Sequence, residues 1–151
     1  MKKVLFLTLV NLILIIFQDY FFIEFFGAGL IPNFVLSLSF AFLVLDLGEA
    51  ALTSALLGGL IIDLFGIGII GQNTLIFVLI ILIANLLRTY ISKMLILQII
   101  LLIIATVIYK GSLSFAVVYS GFLNVLLMFV FITLIKKVTR KFLSTTYRIK
   151  A

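Results

Sequence analysis

Six stretches of almost unbroken apolar sequence decide what this chain can become; they run roughly over 4–23, 33–47, 49–66, 73–91, 94–109 and 112–135. Crossing about 30 Å of hydrocarbon takes about 20 helical residues, so each stretch is read as a membrane-spanning helix. The second is short and must tilt little or thin the bilayer around it. The runs are separated by the breakers Gly27-Ala28-Gly29 and Pro32, by "LDLGE" at 45–49, and by "GIGIIGQN" at 66–73. They lack the apolar–polar alternation of a lipid-embedded barrel. Composition agrees: 66% of the chain is hydrophobic and 11% charged, where a soluble domain has about 45–50% and about 25%. One core of 151 residues cannot hide that much apolar surface. The expectation is an all-α integral membrane protein, a six-helix bundle forming a single domain over 1–151 with a basic tail over 136–151.

The charges set the orientation. The net charge of +6 would invite nucleic acid as a partner if it formed a patch, but six of the eleven basic residues follow position 135. With six spans both termini share a side. Lys2, Lys3, Arg88, Lys93 and the tail then put ten basic residues on it, leaving Lys110 alone opposite. The positive-inside bias makes that side cytoplasmic. Met1-Lys2-Lys3 before an apolar run resembles a signal peptide, but no A-x-A-like site follows, so an uncleaved first span is expected. In the tail, Phe142 and Leu143 among cations suit a surface helix drawn to anionic lipid.

The third span differs from the rest. Every fourth residue gives Ala50, Ser54, Gly58 and, beside that row, Ala51, Ala55, Gly59. Rows of small side chains let backbones approach closely, which drives helix association where lipid supplies no hydrophobic force. A third span lodged at the centre of the bundle is therefore expected. Glu49 and Asp63 bracket it. Fourteen residues bring them within about 40° of one face but roughly 21 Å apart along the axis, too far to share a proton or a metal. A lone aspartate costs about 2.5–3.5 kcal/mol at a bilayer centre. Asp63 is placed near the outer end, where Gly66, Gly68 and Gly71 follow, and donors in that turn are expected to satisfy it. A proton- or ion-coupling carboxylate is the alternative reading of the same position.

These elements together resemble the rod-shape-determining MreD family of bacterial inner-membrane proteins, over 31–88 above all. The family pattern runs from a proline and polar residue opening the second span, through a Gly-Glu pair and a small-residue helix, to G-x-x-x-D and a Gly-containing turn. Here it reads Pro32-Asn33, Gly48-Glu49, Gly59 with Asp63, and Gly71 with Asn73. The resemblance implies a small multispan subunit of the cell-elongation machinery that makes no bond itself. It implies pairing with MreC and, indirectly, work with MreB filaments and the peptidoglycan polymerase and transpeptidase. The family is similar in architecture to the substrate-binding subunits of energy-coupling-factor vitamin transporters, which supplies the alternative function.

The residues themselves speak against an enzyme. The chain has no His and no Cys, no G-x-S-x-G elbow, no nucleotide loop and no metal-ligand spacing. Ser37, Ser39 and Ser114 read as packing hydroxyls, and neither cofactor nor small-molecule substrate is expected. Vitamin binding needs an outward pocket with convergent polar groups, for which Gln18, Asp19, Tyr20, Glu24, Gln72, Asn73 and Lys110 are the candidates. The first run, "VLFLTLVNLILIIFQDYFF", also lacks the alanine spacing with which such subunits dock their energising partner. Phe21, Phe22, Phe25 and Phe26 with Tyr20 read as an interfacial aromatic belt.

Overall fold

A computed structural model describes residues 2–22, 24, 30–66, 69–90, 95–111 and 114–148. Gly27–Gly29, Phe25, Phe26, Gly68 and Lys93 fall outside them, as do the side chains of the tail beyond 139. Six helices follow in order: α1 (Lys2–Phe17), α2 (Phe34–Val44), α3 (Gly48–Phe65), α4 (Gln72–Tyr90), α5 (Leu95–Lys110) and α6 (Phe115–Arg148). A π-helical turn, Gln18–Phe22, extends α1. Four segments are long and apolar enough to cross a membrane: Val4–Phe22, Gly48–Phe65, Gln72–Tyr90 and Phe115–Thr139. The α2 and α5 helices are apolar but shorter. This is the make-up of a helical membrane protein, and its outward faces carry Leu, Ile, Val and Phe at helical spacing, as a surface bathed in lipid tails would.

The centre of the bundle is α2, not α3 as the small-residue rows suggested. Nine of its eleven residues are buried, and it packs against all five other helices. The α3 helix buries only the stripe Ala51, Ser54, Ala55, Gly58, Gly59, Ile61 and Asp63, against α1, α2 and α4. Small residues mark where two backbones touch, whereas enclosure on every side goes with an apolar helix that is not amphipathic. The shortness of α2 follows from the same fact. Sheathed in protein, it has little surface to match to a bilayer.

The start of α2 lies inside the molecule. Asn33, its N-cap, touches Asn124, which is nine residues into α6, or about 13 Å along the axis. Irregular backbone at such depth is tolerated only where protein surrounds it and meets its polar groups. Pro32 brings no N–H. The Ile31 carbonyl accepts from the Ser120 hydroxyl at 2.9 Å, and the Phe34 amide donates to Gln18 Oε1 at 2.9 Å. Phe22 is likewise turned inward, edge-on to Phe34 with ring centroids 5.2 Å apart. Of the described members of the expected belt, Tyr20 and Phe21 are exposed.

Candidate functional site

Gly71 stands at the N-cap of α4 with φ +94°, a left-handed conformation that glycine adopts without strain. A glycine cap has no side chain to accept from the first-turn amides, a role the N-cap residue normally fills. Asp63, from the last turn of α3, fills it instead. Its Oδ1 accepts from the Asn73 amide at 3.0 Å and from Asn73 Nδ2 at 2.8 Å. Its Oδ2 accepts from the Thr74 amide at 3.0 Å and from the Thr74 hydroxyl at 2.6 Å. Each oxygen thus holds one backbone and one side-chain donor. The carboxylate, 5% exposed, also lies at the positive end of the α4 dipole. Four neutral donors and a helix N-terminus offset the desolvation of the charge, and among the described residues no cation pairs with it.

The glycine beneath makes this reach possible. A Cβ built on Gly59 would lie 2.5 Å from Thr74 Cα and 2.9 Å from Thr74 N, so α3 and α4 meet backbone to backbone where the clasp forms. Gly58 faces the other way, into Val35 and 3.0 Å from Asn11 Oδ1. One turn back, Ser54 and Asn11 exchange hydrogen bonds of 3.2 Å in the buried α1–α3 seam. Gly48 opens α3 against Asn85, and Glu49 stays exposed in the first turn, where its charge suits the helix dipole.

Of the residues singled out in the sequence, the structure gathers Gly59, Asp63, Gly71 and Asn73 into one clasp. Pro32 lies apart at the head of α2, and Gly48 and Glu49 at the far end of α3. Among the residues proposed for an outward pocket, Gln18 accepts from α2, and Asn73 donates to Asp63. Asp19 and Tyr20 border a cleft of about 600 Å³ with Leu12, Ile15, Ile16 and Phe65. Among the described residues, no three Asp or Glu side chains gather where they could hold a metal.

Compared with known proteins, the chain matches no protein-family model, no curated protein and no solved structure.

Sequence reasoning missed a second polar centre. Asn124 Oδ1 accepts from the Asn33 amide at 2.6 Å and lies 3.1 Å from the Ser37 hydroxyl. Its Nδ2 donates to Thr106 Oγ1 at 2.8 Å, so one side chain ties α2, α5 and α6 together. The signal was present: Asn11 and Asn124 are lone amides within apolar runs, a pattern that marks interhelical hydrogen bonding. Arg88 was counted only for topology. It is 7% exposed and pairs with Asp46 at 3.0 Å. Asp46 has φ +66° at the C′ position of α2, where its amide bonds the Leu43 carbonyl and that of Leu47 bonds Phe42. Those are the two bonds of a Schellman motif, closed by aspartate where glycine is usual.

Proposed function

We propose that the chain is a non-enzymatic scaffold of the bacterial cell-elongation machinery, of the kind the MreD family supplies. The clasp carries the reading. Gly59, Asp63, Gly71 and Asn73, which belong to the pattern on which the resemblance rests, make up a single joint between two helices. A motif spent on fixing a helical hairpin suits a protein that acts by holding partners rather than by forming bonds. In this reading the chain crosses the bacterial inner membrane six times, in an architecture similar to that of energy-coupling-factor substrate-binding subunits. Both termini face the cytoplasm. The chain pairs with MreC and works indirectly with MreB and the peptidoglycan polymerase and transpeptidase. The sheathing of α2 supports counting it as a span despite its eleven residues.

Extraction of the tagged full chain from membranes, with identification of what comes with it, tests the partner. MreC is the expected companion; recovery of a pair of ATPases instead would favour vitamin transport. The chain's lack of cysteine makes topology directly testable. A Lys150→Cys variant should label only from the cytoplasm, and labelling from the outside of intact cells rules out six spans.

A further inference from the structure

At the end of the bundle that carries Arg88 and the Asp46 turn, α2, α5 and α6 do not close on one another. Between them lies an open cleft of about 590 Å³ lined by Val44, Leu95, Phe129, Ile132 and Thr133, with Lys136 and Lys137 completing it. Val44 is the last residue of α2 and Leu95 the first of α5. Phe129, Ile132, Thr133, Lys136 and Lys137 follow at spacings of three and four, so they share one face of α6. The wall is therefore apolar and the margin cationic.

No described residue forms an ion pair with either lysine. Among the described residues, the ion pair at this end is Arg88 with Asp46, and the sequence from 136 to 150 contains no acidic side chain. Both lysines are exposed, directly after the apolar stretch that ends at Ile135. That is the level at which a spanning helix leaves hydrocarbon for headgroups. A free anion would meet the lysines but leave the wall wet, and a neutral lipid would cover the wall but ignore the charge. The volume falls within the range of about 300–1,000 Å³ usual for small-molecule sites. The next turn of α5 after Leu95 carries Gln98, buried with both ends of its amide unpaired, a further unmet polar demand at this end of the molecule.

We propose that this cleft binds one anionic phospholipid, with an acyl chain against Leu95, Phe129 and Ile132 and the phosphate between Lys136 and Lys137. The proposal rests on the chain being embedded in a bilayer and is independent of any role in cell elongation. It differs from attraction of the basic tail to a charged surface, because it names a walled site with a stoichiometry of one.

The test uses the full chain, purified in detergent and stripped of lipid, then titrated with phosphatidylglycerol, phosphatidylcholine or glycerol 3-phosphate. Native mass spectrometry counts the lipid retained, and thermal unfolding gives a second readout. One phosphatidylglycerol per chain should be retained and should raise the unfolding temperature, with phosphatidylcholine much weaker and glycerol 3-phosphate unable to compete. Replacing both lysines (Lys136→Gln with Lys137→Gln) should weaken binding about thirty-fold, on the basis of about five-fold per basic residue near the surface. Thr133→Trp should block the cleft while leaving both charges. A tail variant (Arg140→Gln, Lys141→Gln and Arg148→Gln together) should retain the lipid. Should the tail variant lose it while Thr133→Trp keeps it, the diffuse field of the tail holds the lipid and the cleft site is wrong. Equal retention of phosphatidylcholine, or displacement by glycerol 3-phosphate, overturns the proposal too. If Thr133→Trp does not accumulate, the lysine and tail variants still decide between cleft and tail.

Discussion

Among the described residues each end of the bundle buries one charge, and the two are met by different means. Asp63 is surrounded by four neutral donors, all from the first turn of one neighbouring helix. Arg88 is met by a counter-charge, Asp46, whose side chain is 64% exposed. Dipoles at hydrogen-bond distance act only where geometry is held, and they lie beyond the reach of salt. A counter-charge standing in water tolerates movement but is screened. The clasp should therefore be rigid and intolerant of substitution, and the ion pair forgiving.

The largest effect should come from closing the space beneath the clasp. Gly59→Leu must separate two backbones that are in contact, and Gly58→Leu must displace Val35 and Asn11. Both should abolish accumulation in membranes or leave an assembly that falls apart on extraction, whereas Leu101→Ile, on the half-buried side of α5, should accumulate normally. Normal yield of both leucine variants would mean that the helices can re-seat, and the clasp would not be the rigid end.

Asp63 comes next. Asp63→Leu leaves the Asn73 and Thr74 amides without an acceptor, at about 1–3 kcal/mol for each buried group. The two side chains can rotate away, so the loss should be about 2–6 kcal/mol. Asp63→Asn keeps one accepting oxygen and turns an NH₂ toward the other donors, so it should lose roughly half as much. Thermal unfolding of the extracted proteins gives the order. An asparagine variant that is fully stable, yet inactive in cells that depend on it, would make the charge itself the function.

At the other end the two partners should behave unequally. Asp46→Asn keeps a residue that tolerates positive φ but leaves the Arg88 guanidinium without its counter-charge. Arg88→Met removes the buried charge, and the Asp46 carboxylate stays exposed to water. The first should cost about 1 kcal/mol, between the values for exposed and buried pairs. The second should be near neutral. Equal losses in unfolding experiments would mean that the pair acts as a unit and the contrast between the ends is weaker than drawn.

The sequence showed where the helices are, because apolar runs end at Gly, Pro and charged residues for the same reasons that helices do. The expected run 49–66 is the helix Gly48–Phe65, and 73–91 is Gln72–Tyr90. That Asp63 would be satisfied locally could also be read, since a helix end and a glycine turn follow it. Its partners could not be read in full: Asn73 and Thr74 lie beyond the turn, and the rotation of α4 decides which donors point back. Longer reaches were out of sight. Asn124 meets Asn33 across 91 residues, and a lone amide announces that it needs a partner without saying on which helix. The central place of α2 was hidden for a related reason. Uniform apolarity describes a helix facing lipid as well as one facing protein, and the order in which helices surround one another decides between them.

The smallest effect separates the two ends most directly. Raising ionic strength from about 0.01 M to 1 M shortens the screening length from about 30 Å to 3 Å. The Arg88–Asp46 attraction runs partly through water, because Asp46 is exposed, so salt should remove a share of it, about 0.5 kcal/mol or less. The hydrogen bonds around Asp63 lie within a buried site that salt does not enter. The stability difference between wild type and Asp46→Asn should therefore shrink as salt rises, while the difference between wild type and Asp63→Asn should stay constant. Salt also alters detergent micelles, and taking differences between variants at each concentration removes that contribution. If the Asp63→Asn difference shrank as well, solvent would be reaching the clasp. The dipoles around Asp63 would then be working in water, and the two ends would differ in degree rather than in kind.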